Sequence, residues 1–142
     1  MTHPPIPEDL RRFVLTSVPS VPFLEALLLL RADPTQQWES AMLASRLYIR
    51  ERVAGELLAA LCTAGIAQAC DPPASHCYRY DPVNEALRER IDRLADLYAR
   101  QLVDVTHLIH SSLERQAQQF ANAFRLRKDE LEDRRGQLNR MQ

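Results

Sequence analysis

Glycine is scarce, with three in 142 residues. A loop that cradles phosphate groups needs several glycines within a few positions, so Gly-rich nucleotide-binding loops are excluded. Cysteine is equally scarce. Cys62, Cys70 and Cys77 are an odd number without a framework of paired spacings, which argues against a secreted disulfide scaffold. Long apolar runs are missing too: the longest, Leu57 to Cys62, is far too short to span a bilayer. No basic segment leads into a signal-peptide core at the start, so a cytoplasmic protein with no membrane partner is expected. Neither sign of charge dominates: 18 Lys and Arg face 19 Asp and Glu, for a net charge of −1. Electrostatics therefore do not advertise a nucleic-acid partner.

Catalytic constellations are also absent. There is no His-Glu-x-x-His, no CxxC, and no recognisable order of Ser, His and Asp, so an enzyme is not expected and no cofactor is implied. Asp104, His107 and His110 are spaced by three, but one helix cannot easily close a tetrahedral metal site from such positions. They read as solvent-facing or interface side chains, and no metal is assigned. Cys70 and Cys77 stand at the two ends of one loop. They read as reduced small hydrophobes, with a disulfide across a hairpin as the alternative.

What is present is helical periodicity. Apolar residues make up 46% of the chain, charges are mixed, and the length suits one domain with a core, so disorder is not expected. A Pro-rich arm, Met1 to Pro7, precedes a helix from Glu8 to Val18 with Leu10, Phe13 and Val14 on one face. Ser20 can cap a helix from about Val21 to Ala32. Its interior, Leu24 to Leu30, is apolar nearly all round and belongs at the centre of the core. Thr35 to Trp38 can form a short strand, and Trp38 reads as a core anchor.

The stretch from Trp38 to Tyr80 then reads helix, turn, helix, strand, loop, strand. Ser40 can cap a helix with Met42, Leu43 and Leu47 inward, and Tyr48-Ile49-Arg50 makes the turn. The next helix, Glu51 to Ala64, is expected to bury Val53, Leu57, Ala60, Leu61 and Ala64. Gly65 ends it. Ile66–Cys70 and Cys77–Tyr80 are expected strands flanking Asp71-Pro-Pro-Ala-Ser-His76, with Tyr78 and Tyr80 facing the core and Cys77 and Arg79 away from it. Between Trp38 and Pro82, four arginines (46, 50, 52 and 79) face five acids (39, 51, 56, 71 and 81).

Asp81-Pro82 is a good helix start. An apolar stripe through Leu87, Ile91, Leu94, Tyr98, Leu102, Val105 and Leu108 or Ile109 continues to Phe120 and Phe124. A straight helix from Pro82 to Lys128 would be roughly 70 Å long, so a bend is expected at His110-Ser111-Ser112, with fraying after Lys128. The organisation is then 1–81, N-terminal helices plus the helix–turn–helix and hairpin, followed by 82–142, a long helical region for dimerisation.

Leu43-Ala44-Ser45-Arg46-Leu47, then Val53 through Leu61, then Ala64-Gly65-Ile66 before the hairpin resemble the MarR-type branch of winged helix-turn-helix transcriptional regulators. The resemblance covers about Leu24 to Val105. It implies a mainly α fold with a small β-wing, in which flanking helices form a homodimer holding two recognition helices. Double-stranded DNA is the partner it implies, with Arg50, Arg52, Glu56 and Arg79 at the contact. The dimer would use the last long helix together with Glu8 to Val18. Two departures stand out: Arg50 replaces the usual Ser/Thr start of the recognition helix, and the wing has no basic tip. The alternative is a winged-helix module that binds a protein partner and not DNA.

Overall fold

The computed structural model describes residues 4–70 and 76–140, with side chains described as far as residue 135. The expected wing tip, residues 71–75, lies outside the described residues. The architecture is mainly helical with one small antiparallel sheet. In order it runs α1 (Glu8–Ser17), α2 (Val21–Ala32), α3 (Ser40–Leu47), α4 (Glu51–Thr63), β1 (Ala67–Ala69), β2 (Tyr78–Tyr80), α5 (Glu85–Arg100) and α6 (Leu102–Arg140). The chain divides into two compact units, Met1–Ile109 and His110–Gln142.

The first unit is built on α2. Ser20 caps it by accepting a hydrogen bond from the Phe23 amide at 3.2 Å. Leu24, Ala26, Leu27 and Leu30 are wholly buried, as an all-round apolar helix must be. α3, α4 and β2 pack against it, and α1 lies on α5. Two ion pairs pin α5 from outside: Arg93 to Asp9 of α1, and Arg31 of α2 to Asp92 at 2.8 Å.

The sheet pairs Ala67 with Tyr80, Gln68 with Arg79 and Ala69 with Tyr78. Trp38 adds a single bridge to Tyr78, with backbone bonds of 2.7 and 2.9 Å. Its ring is buried, the anchor role expected of it. Gly65 has φ +78°, a left-handed turn in which a side chain would also meet Val83 at about 3 Å. Beyond the strands, Cys70 and Cys77 form a disulfide with Cα atoms 5.4 Å apart. Both are buried. The expected reduced pair is thus corrected, and so is the outward placement of Cys77. It lies before β2 begins, where strand alternation no longer applies.

Several helix boundaries differ from expectation for clear reasons. Ser40 is the first residue of α3 and not its cap, which is Glu39. Asp81 does not cap α5. Its amide is bonded to the Ile66 carbonyl and that of Val83 to the Gly65 carbonyl, so residues 81–83 stay outside the helix, and Asn84 caps instead by accepting from the Leu87 amide at 2.8 Å.

The long helix breaks at Gln101 (φ −132°, ψ 53°), not at His110-Ser111-Ser112, which lie inside α6. His and Ser disfavour a helix by only tenths of a kcal/mol, roughly 0.5 each. The bend at Gln101 lets Val105 and Ile109 join the core, a larger gain. With its amide turned so that the nitrogen takes the place of the oxygen, the buried Gln101 donates to the Asp104 carboxylate and the Pro4 carbonyl, each at 3.1 Å. Ile91, Leu94, Leu97, Tyr98, Val105 and Ile109 are all buried within the unit. The stripe expected to need a dimer partner is therefore largely covered by its own chain. α6 runs to Arg140.

Candidate nucleic-acid interface

α3 and α4 pack closely because Gly55 allows it: a Cβ there would lie 3.0 Å from the Ser40 hydroxyl. Between them the chain turns through Tyr48, a non-glycine residue with φ 56° and ψ 44°. The Ile49 amide donates back to the Ala44 carbonyl at 3.1 Å, closing α3 in the Schellman manner. Glycine usually occupies that left-handed position. Here a tyrosine does, with its side chain 96% exposed.

α4 starts at Arg50 in extended conformation, with no side chain capping its first amides. Those amides and the positive end of the helix dipole favour an anion. Its inward face carries Ala54, Leu58 and Leu61. This corrects the expected face by about one position: Val53, Ala60 and Ala64 are exposed and Leu57 is only half-buried. The exposed face then carries Arg52, Val53 and Glu56 near the helix start.

Of the four residues expected at a DNA contact, Arg52 and Glu56 are brought together as an exposed ion pair of 3.5 Å. Arg50, next to them in the chain, is exposed at the helix cap. Arg79 is exposed on β2, opposite Gln68 in the ladder. Neither Arg50 nor Arg79 has an ion-pair partner among the described residues. Arg46 of α3 lies over the Trp38 ring, 5.9 Å from its centroid, so it is partly held by a cation–π contact. Tyr48 was missed by the sequence reading, which saw only a turn. A bulky residue where helix capping calls for glycine was the available signal.

A concavity of about 460 Å³ lies between α2, α3 and α5. Leu28, Leu29, Leu47 and Tyr98 give it an apolar floor, with Glu25 and Arg46 at its edge. Among the described residues no group of three or more His, Cys, Asp and Glu side chains can hold a metal ion. No single helix among them is long and apolar enough to cross a membrane. No protein-family model, characterised protein or solved structure matches the chain.

Proposed function

We propose that this protein is a DNA-binding transcriptional regulator of the winged helix-turn-helix type, resembling the MarR branch and acting as a homodimer. In this reading α3 and α4 are the helix–turn–helix, β1 and β2 the wing strands, and α4 the recognition helix. The observation that carries it is the open N-terminal end of α4, which bears Arg50 and Arg52 and directly follows the exposed, left-handed Tyr48. Side chains at this end of a recognition helix reach base edges in the major groove. Arg52 is the base-reading candidate, because a guanidinium can take guanine in bidentate fashion. Arg50 and Arg79 are phosphate contacts. A left-handed backbone costs a tyrosine about 1–2 kcal/mol, and residues held this way are concentrated at binding surfaces.

The second reading, a winged-helix module that docks a protein, draws on the Arg52–Glu56 pair. Together with Glu51 it leaves the helix face with little net positive charge. One experiment separates the two: binding of the full chain to bulk duplex DNA at two salt concentrations. Phosphate-driven binding must weaken steeply as salt rises. No binding at low salt would replace the DNA reading with the protein-docking one.

A further inference from the structure

We infer that residues 110–134 of α6 form an antiparallel coiled coil with the same segment of a second copy of this chain. This rests on the homodimer of the proposed function and specifies how the dimer is made. The second unit is a single helix carrying large apolar side chains in water. Leu113, Phe120, Phe124 and Leu131 are 39%, 74%, 65% and 59% exposed. These four are not scattered, while Leu126, 70% exposed, lies off their line. Ala117, Phe124 and Leu131 repeat every seven residues, and so do Leu113, Phe120, Arg127 and Arg134. The two series, offset by three and four, form one seam along the helix. A lone helix gains little from its own hydrogen bonds and is stabilised mainly by packing its apolar face. Two phenylalanines on that face have a large area to bury.

Charge decides the orientation. A parallel pair would set Arg127 against Arg127 and Arg134 against Arg134 within the seam. An antiparallel pair centred on Asn122 avoids both clashes. Phe124 then faces Phe120 of the second copy, twice over, and Leu113 faces Leu131. The arginine stem at 127 lies over Ala117, the smallest residue of the seam. The flanking positions agree. At these positions, offset by two residues from the seam's own register, Glu114 lies nearest Lys128 of the second copy on both sides, and Ala121 lies nearest its own equivalent, allowing close approach beside the four aromatic rings.

The test uses the full chain carrying Cys62→Ser, since Cys62 is the free cysteine and Cys70–Cys77 is a disulfide. Ala121→Cys in that background should be joined into a covalent dimer by a short bis-maleimide. Ala117→Cys should not, because its two copies would be about ten residues out of register, roughly 15 Å along the axis. The reverse result would mean a parallel pair and would overturn the inference. Sedimentation gives an independent reading. Phe124→Glu should weaken dimerisation more than roughly a hundredfold without changing the fluorescence of Trp38, which is buried in the other unit. Lys128→Glu should weaken it roughly tenfold, and adding Glu114→Lys should restore it. A wild-type protein that stays monomeric at high micromolar concentration overturns both this inference and the homodimer. A dimer that survives Phe124→Glu overturns this inference alone, and duplex binding, measured separately, bears on the DNA reading alone.

Discussion

Arg52 and Glu56 stand one turn apart on the exposed face of α4, with Arg52 Nε 3.5 Å from a Glu56 carboxylate oxygen. Such a pair is worth only about 0.3–0.5 kcal/mol to the helix, so its removal leaves the fold intact. Its effect on a polyanion is larger, since the carboxylate both occupies the guanidinium and repels phosphate. Under the DNA reading, Glu56→Gln should leave non-specific duplex binding unchanged or strengthen it. Arg52→Ala should cost about 1–3 kcal/mol at a specific site and relax preference at one base pair. Arg50→Ala and Arg79→Ala should weaken all sequences alike and flatten the salt dependence. Titrations of specific and bulk duplex by fluorescence anisotropy check this. Equal, sequence-independent losses for all three arginines would remove Arg52 from the bases.

Tyr48 offers a test in which stability and function move in opposite directions. Its left-handed backbone costs a tyrosine about 1–2 kcal/mol that glycine does not incur. Glycine recovers part of this, less its greater freedom in the unfolded chain. Tyr48→Gly is expected to raise unfolding free energy by about 0.5–1 kcal/mol, read from urea denaturation. If the ring works at the interface, the same change should weaken binding. A variant that is more stable and binds equally well would assign Tyr48 to the turn alone.

The inward face of α4 fixes a third expectation. Leu58 is wholly buried, whereas Val53 is 38% exposed. Leu58→Ala should cost about 2–5 kcal/mol and Val53→Ala no more than about 0.5 kcal/mol, both measured by denaturant midpoint. Near-equal losses would mean that the helix is rotated from the orientation described.

The same residues show how much was legible in the sequence. The order of helices and strands, the buried α2 and the glycine turn at 65 follow from local patterns: an apolar run, a serine cap, a residue that accepts positive φ. The facing of α4 does not, because Leu57-Leu58-Ala59-Ala60-Leu61 is apolar on adjacent faces. Packing against α2 and α3, with Gly55 seated against Ser40, decides which of them turns inward. The bend at Gln101 was hidden for a similar reason. No helix breaker marks it; what decides it is burial of Val105 and Ile109, which local patterns do not reveal. At the candidate interface Arg50, Arg52, Glu56 and Arg79 could be named from the order of elements. The Arg52–Glu56 pairing follows from their spacing, but the strain at Tyr48 required the backbone.

Tyr80 ties pH to stability. Its hydroxyl is buried with no protein hydrogen-bond partner among the described residues, and its ring lies under the Arg88 guanidinium, 5.6 Å away. Burial, and secondarily the negative charge of Asp92, push its pKa above the ordinary value of 10.0. The folded state therefore holds the phenolic proton more tightly than the unfolded chain does. Below the unfolded value both states are neutral and this group's contribution is fully present. As pH rises past 10.0, the unfolded chain ionises first, and stability falls until the folded value is passed. Tyr80→Phe removes both the titration and an unpartnered buried hydroxyl. Near neutral pH the variant should be equal in stability to wild type, or more stable by up to about 1 kcal/mol. Above the ordinary tyrosine range it should lose less stability with each step in pH. Urea denaturation of both proteins across the alkaline range checks the slope. Parallel curves for the two would mean that the phenol titrates alike in both states, and a clear destabilisation at neutral pH would mean that the hydroxyl is hydrogen-bonded after all.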